Sequence, residues 1–284
     1  MSDPLPTELR HAIEARRDRL GPLASRIVYF ETTGSTNDVA ASLASADRLE
    51  ASPTDVEGLV VIADAQTAGR GRRGRTWFSP PGAGLYVSVV LRPGRARESV
   101  ERAIALLTIS AGVALAEAVE RVTGLSPAIK WPNDLLVERR KLAGILAEGV
   151  ASPGSGALHA VVLGFGLNVM SAAYPPELST IVTSLDSELG RGVDRAEVCA
   201  EALASLAERY RDLLDARYDA ILDAWRARAF GSRGAKVEWD TPAGVRTGVT
   251  EGVDAMGALL VRTGEGLERI VAGEVRWGLH AARY

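Results

Sequence analysis

Between two apolar, β-branched runs, Leu59 to Ala65 and Leu85 to Leu91, lies Gly69-Arg70-Gly71-Arg72-Arg73-Gly74-Arg75, four guanidinium groups alternating with three glycines. The flanking runs predict strands. Glycine lets backbone N–H groups come close to a ligand, and arginine offers planar forks that fit carboxylate and phosphate oxygens two at a time. A loop of this kind between strands is suited to close over a small polyanion. The same letters spell the G-x-G-x-x-G of dinucleotide-binding folds, which requires a helix to start on the loop. Here Trp77-Phe78-Ser79-Pro80-Pro81-Gly82 follows, and paired prolines beside glycines mark a loop. That fold is excluded. A basic RGG-like tract for nucleic acid is disfavoured too, because such tracts recur in polar, disordered surroundings.

A chain of 284 residues can build one large or two modest domains, and 46% hydrophobic with 24% charged residues is ordinary for a soluble globular protein. A net charge of -3 argues against non-specific nucleic-acid binding, which needs a basic footprint, and positive charge is instead concentrated locally around residues 70–75. The single cysteine, Cys199, excludes an internal disulfide, points to a reducing compartment, and falls in a helical pattern as a small buried apolar residue. His11, His159 and His280 lack ligand spacing, so no zinc site is expected. No run is read as long enough to span a membrane, and the amino terminus lacks a secretory pattern. A cytoplasmic location is expected.

Residues 7–20 read as a short amphipathic helix ended by Gly21-Pro22; Arg26 to Glu31 is strand-like, and Ser35-Thr36-Asn37-Asp38 opens a helix over Val39 to Leu49. Residues 99–122 form the strongest helical stripe, with Ile104, Leu107, Val113, Leu115 and Val119. Strands are expected at 127–131, 134–138, 141–150 and 157–169, and their short turns predict antiparallel sheet. Helices follow at 194–214 and 216–230, then a hinge at Gly231-Ser232-Arg233-Gly234 and a glycine-punctuated, strand-rich tail suggesting a small β-barrel.

Several short segments could carry chemistry. Ser35-Thr36-Asn37 places three small hydrogen-bonding side chains at a helix start, where capping alone would also explain them. Gln66 is an uncharged donor and acceptor at a strand end. Lys130-Trp131-Pro132-Asn133-Asp134 groups a cation, an aromatic plate, an amide and a carboxylate, the last two able to hold magnesium against phosphates. Lys141 precedes small and apolar residues in Arg140-Lys141-Leu142-Ala143-Gly144-Ile145-Leu146; pointing along a partly dry sheet face, its ammonium would gain strength. Gly164-Phe165-Gly166-Leu167-Asn168-Val169 ends a strand with two glycines spaced for close backbone approach to a flat ligand.

Taken in order, STN at 35–37, QTAGRGRRGRTW at 66–77, KWPNDLL at 130–136, RKLAGILAE at 140–148 and GFGLNV at 164–169 resemble the biotin protein ligases, and TSL at 183–185 with the β-rich tail extends the likeness over most of the chain. The resemblance implies an α+β fold: a central mixed, largely antiparallel sheet flanked by helices, as in class II aminoacyl-tRNA synthetases. It divides the chain into a catalytic biotin- and ATP-binding domain at 1–231 and a small SH3-like domain at 232–284. It further implies that biotin's carboxylate attacks the α-phosphate of ATP, giving biotinyl-5′-AMP and pyrophosphate, and that a lysine of a biotin carboxyl carrier protein or domain then displaces AMP. Preorganised cations in a site shielded from water are the stabilisers such a reaction needs.

By resemblance, Ser35, Thr36, Asn37 and Gln66 would hold biotin's ureido and neighbouring groups, above a low floor of Gly144, Gly164 and Gly166. Arg70, Gly71 and Arg72 would bind biotin's carboxylate and the phosphates, with Arg75 in support and Trp77 against adenine. Lys141 would be the catalytic cation alongside Arg72. Lys130, Asn133, Asp134 and Asn168 would serve the adenylate, and Asp134 the Mg2+ that accompanies ATP, no metal being fixed by protein alone. Only 34 residues precede Ser35, too few for the helix-turn-helix of family members that double as repressors, so a monofunctional enzyme without DNA is expected. Lipoate ligases or octanoyltransferases and a non-catalytic biotin sensor are the rival readings; sheet-edge dimers among similar ligases make a homodimer compatible with this one.

Overall fold

The computed structural model of the protein describes residues 2–46, 56–151 and 157–278. Its seven-stranded sheet has the order β1-β2-β3-β7-β6-β5-β4, built from β1 (Arg26–Thr33), β2 (Leu59–Gln66), β3 (Gly84–Leu91), β4 (Ala128–Lys130), β5 (Asp134–Val137), β6 (Arg140–Ala151) and β7 (Leu158–Asn168). Only β1 and β2 run parallel; the other neighbours are antiparallel, as the short turns between β4 and β7 require.

Alternation along the strands gives the sheet two faces. Val60, Ile62, Val87, Val89, Leu163 and Phe165 turn into the main core beneath α4 (Val100–Thr123) and α6 (Arg195–Leu214), with α1 (Thr7–Glu14), α2 (Arg17–Leu20) and α7 (Tyr218–Arg226) packed around them. Ser99 caps α4 by accepting from the Arg102 N–H, and left-handed Gly124 ends it. The expectation that no run has the length of a membrane span is corrected here: α4 is long and apolar enough, but most of it is buried in this core.

The opposite face is only half covered. α3 (Thr36–Ala46) sets Ala40 and Ala44 on Leu59, Val61, Val90 and Val162. Beyond its first turn the same face continues as Ser88 beside Gly164, then Gly166 beside Gly144. The site lies on this uncovered half.

A second sheet, order β11-β10-β9-β8-β12, is antiparallel throughout: β8 (Arg233–Thr241), β9 (Gly244–Val253), β10 (Leu259–Thr263), β11 (Gly266–Ile270) and β12 (Val275–Trp277). It is stapled to the first body, where the Trp131 indole N–H donates to the Gly257 carbonyl at 2.9 Å and Gly257 packs on Leu106 and Ile109 of α4.

Three local expectations change. The helix over 7–20 is two helices, broken at Arg16, whose turn aims Arg16 and Arg19 at Glu201 of α6. The helix expected from 216 starts at Tyr218 because Ala216 adopts a φ of 59°, and α5 (Leu185–Leu189) was not anticipated. The end of the helix read to Leu49, and His280, lie outside the described residues.

Candidate active site

The site's floor is missing side chains. A Cβ on Gly164 would lie 2.0 Å from Asn37 Oδ1, and one on Gly166 would lie 2.3 Å from Cε2 and Nε1 of Trp77. Glycine at these positions lets Asn37 and the Trp77 indole lie against the backbone of β7. Gly144, beside Gly166 on β6, has Trp77 and the Lys141 side chain over it in the same way.

Trp77 divides two cavities. One is lined by Ser35, Thr36, Asn37, Gln66, Arg70 and the three floor glycines. The other is lined by Arg73, Arg75, Lys130, Asp134, Asn168 and an apolar wall that includes Phe78, Tyr174 and Ile181. Gly71, Arg72, Trp77, Asn133 and Lys141 border both. Two ligands held side by side would therefore meet at two cations.

The first cavity is polar and tightly bonded. Gln66 Oε1 accepts the Thr36 N–H at 2.9 Å, and its amide nitrogen donates to Ser79 Oγ at 2.9 Å. Ser88 Oγ lies 2.8 Å from Thr36 Oγ1 and 2.6 Å from Asn37 Oδ1. Ser35, Thr36 and Asn37 are all buried, and the side chains of Thr36 and Asn37 bond to Gln66, Ser88 and Glu148.

The arginine loop is ordered over this junction. Gly71 N–H donates to the Arg75 carbonyl at 2.7 Å, Trp77 N–H to the Gly69 carbonyl at 2.9 Å, and a short 3-10 turn spans Arg72–Gly74. Arg70 contacts Asp38 and Glu148, each at 2.7 Å. Arg75 pairs with Glu274 at 2.6 Å, tying the loop to the second sheet. Arg72 donates to Asn133 Oδ1 at 2.9 Å, while the Asn133 amide nitrogen donates to the Ile145 carbonyl at 3.1 Å and so fixes which end of the amide faces the arginine. Burial pushes the Arg72 guanidinium below its ordinary value, although Asp134 nearby favours its charge.

On the second side, Lys141 Nζ sits 2.8 Å from Asp134 Oδ1 and 5.4 Å from the centroid of the Trp77 ring. Lys130 lies 5.4 Å from the Trp277 ring centroid, and burial brings its ammonium down to about 8. Asn168 lines this cavity and donates to the Thr183 carbonyl at 3.0 Å. No group of three His, Cys, Asp or Glu side chains converges among the described residues. Cys199 is fully buried, its thiol pushed up to about 12.

All seventeen residues singled out in the sequence thus line one or other cavity. Trp131, a motif residue outside that set, also lines the second cavity, but its indole is committed to Gly257, which makes it a staple rather than an open plate. Missed were Glu148 and Ser88 on the sheet face, the wall around Tyr174 and Ile181, and Glu274. The wall arrives through backbone bonds, Lys141 N–H to Ile181 O at 2.8 Å and Thr183 N–H to Lys141 O at 2.9 Å, for which only the TSL segment gave a hint.

Comparison with known proteins follows the same lines. Residues 29–168 match the model of the Biotin/lipoate A/B protein ligase family, and residues 237–276 match the Biotin protein ligase C terminal domain. The bifunctional ligase/repressor BirA of Bacillus subtilis is 34% identical over 258 residues, covering 90% of this chain and 75% of that protein. The biotin–[acetyl-CoA-carboxylase] ligase of Mycobacterium tuberculosis is 38% identical over 248 residues, covering 86% and 85%. Among solved structures, the biotin protein ligase of Aquifex aeolicus in complex with biotin and ATP superposes with a TM-score of 0.72 at 27% identity, covering 89% of this chain and 100% of that one. With its two cavities, its glycine floor and these relatives, the chain belongs to the biotin/lipoate A/B protein ligase family.

Proposed function

We propose that this protein is a biotin protein ligase: it joins biotin to AMP from ATP, releasing pyrophosphate, and passes the biotinyl group to a lysine of a biotin carboxyl carrier protein or domain. The observation that carries this reading is the border of Arg72, Asn133, Lys141 and Trp77 shared by a polar cavity and a larger one with an apolar wall. Biotin's bicyclic head fits the first, where Thr36, Asn37 and Gln66 supply paired donors and acceptors for a ureido group. The nucleotide fits the second, its base against Trp77 and the apolar wall, its phosphates toward Arg72, Lys141 and Lys130. Both anions then reach the shared cations. As the carboxylate oxygen attacks the α-phosphorus, added charge on the phosphate oxygens falls beside groups already oriented by Asn133 and Asp134. No covalent enzyme intermediate is needed, consistent with a buried, inert Cys199.

Asp134, which lines the nucleotide cavity, suits a magnesium that arrives on the nucleotide, because Mg2+ is commonly held by one or two carboxylates plus substrate phosphates. When bound, it would neutralise phosphate charge. The reading assigns residues 1–231 to activation and 232–284 to closing the nucleotide side through Glu274, with a cytoplasmic carrier as acceptor.

The test is ATP-dependent transfer to a purified carrier domain, read by intact mass, with lipoate as the competing acid. A biotinyl adduct on one lysine is expected; lipoylation, or no adduct, would overturn the proposal.

A further inference from the structure

The two ends of the arginine loop belong to one circuit of hydrogen bonds. From the Trp77 carbonyl it runs to Ser79 Oγ at 3.0 Å, then through Gln66 and Thr36 to Ser88 and Asn37. Asn37 Nδ2 donates to Glu148 Oε2 at 2.7 Å, and the same oxygen accepts from Arg70 at 2.7 Å. An antiparallel bridge between Arg70 and Thr76 closes the loop itself. Glu148 is thus where the buried recognition residues join the loop.

Its chemistry sets the direction of the circuit. An ionised carboxylate only accepts, so Asn37 must face it with Nδ2 and turn Oδ1 to Ser88. The single Ser88 hydroxyl proton is then used on Oδ1, and the Thr36 hydroxyl donates toward Ser88 or Gln66. What remains for a ligand is the second Nδ2 hydrogen of Asn37 and a lone pair on Thr36 Oγ1. That donor and acceptor complement the carbonyl and N–H of a cyclic urea. Glu148 with Asp38 also holds Arg70 on the outer side of the cavity.

We infer that Glu148 is a positioning residue: its carboxylate orients the Asn37 amide for the ureido group and, by clasping Arg70, couples that recognition to closure of the arginine loop. The inference rests on the reading of the polar cavity as the biotin site.

The experiment compares the parent with Glu148→Ala, Glu148→Gln and Asp38→Asn, measuring biotin KM and kcat in pyrophosphate exchange, and hydrogen exchange at the Gly71 and Trp77 amides without ligand. Glu148→Ala should raise biotin KM by about tenfold or more, since contacts to charged groups are lost, and both amides should exchange faster. Glu148→Gln keeps an oxygen for Asn37 but no charge for Arg70. It should restore most of the KM and little of the protection, a split that loss of folding would not give. Asp38→Asn, which loosens Arg70 but leaves the Asn37 amide held by Glu148, should quicken exchange and raise biotin KM less than Glu148→Ala does. Parental KM and protection in Glu148→Ala, or equal losses in the Ala and Gln variants, would overturn the inference. A parent that exchanges no pyrophosphate, yet whose loop amides still respond to Glu148, would sink the biotin reading and leave the clasp standing.

Discussion

Two glycines on one strand, two residues apart, should govern different substrates. In Gly166→Ala the new Cβ would lie 2.3 Å from Cε2 and Nε1 of Trp77, against an ordinary carbon contact of roughly 3.5–4.0 Å. The indole is rigid, so it must lift off β7 by about 1 Å or more into the nucleotide cavity. Overpacking of this kind costs about 1–3 kcal/mol, and where the bound base presses the indole back onto β7 that cost reappears as roughly fivefold to a hundredfold weaker ATP binding. In Gly164→Ala the Cβ would lie 2.0 Å from Asn37 Oδ1, displacing an amide held by Ser88 and Glu148. Each hydrogen bond lost contributes about 1 kcal/mol, more for the charged partner, so biotin binding should fall by about tenfold or more. Pyrophosphate exchange is the assay, with biotin varied at saturating ATP and then the reverse. Gly164→Ala should raise the KM for biotin, and Gly166→Ala the KM for ATP. If both variants raised both constants equally, or neither changed anything, the division of the site by Trp77 would be wrong.

Lys141→Ala removes charge-assisted contacts worth roughly 1.5–3 kcal/mol each and should slow pyrophosphate exchange about tenfold to a hundredfold or more; a near-normal rate would exclude Lys141 from the chemistry. Arg72→Gly should let biotinyl-AMP escape and label bystander proteins, checked by streptavidin blotting against the parent. Burial lowers Lys130 from 10.5 to about 8, so between those pH values the unfolded chain binds more protons and this residue makes stability rise with pH; below pH 8 the buried charge costs roughly 3 kcal/mol. Lys130→Met should accordingly raise Tm at pH 7 and flatten the rise toward pH 10 in thermal scans. Burial alone would raise the Glu201 carboxyl, but Arg19, Arg16 and Arg121 override it and bring it to about 2. Its contribution is present above the unfolded value of 4.5 and lost as pH falls toward 2, so Glu201→Gln should cost about 3 kcal/mol at pH 7 and make the acid-side slope shallower in urea titrations, the remainder coming from carboxyls such as Glu208 and Asp254 that are also held low.

Strands flanking the arginine loop and the β4 to β7 meander were legible because apolar period and turn residues are local signals. The segments that come to line the two cavities could also be picked out, as an ordered set rather than one by one. Position relative to the fold was not legible. Trp77 and Trp131 look alike as flat rings near polar residues, yet one lies on a glycine floor and the other bonds Gly257 across 126 positions. Glu148 reads as a solvated strand carboxylate until β6 and α3 are brought together, and Glu274 until the second sheet docks. Charge in a sequence has no partner until tertiary structure supplies one.

That supply of partners also separates the loop's arginines, which the sequence presents as equivalent. Arg70 meets Asp38 and Glu148, and Arg75 meets Glu274, so the two guanidiniums near the ends of the loop are balanced by carboxylates from α3, β6 and the second sheet's body. Arg72, between them, hydrogen-bonds the uncharged Asn133 and is partly desolvated. A cation held this way keeps most of its charge for an incoming anion, and Asn133 supplies orientation without competing for it. The outer pairs fix the loop and the inner guanidinium is left to the ligands. Reversing the pattern, by giving Arg72 a carboxylate through Asn133→Asp, should leave the loop as well ordered as before and weaken binding of both anions, which equilibrium titration with biotin and with ATP would register. Unchanged affinities in that variant would mean that the charge on Arg72 is not what the substrates meet.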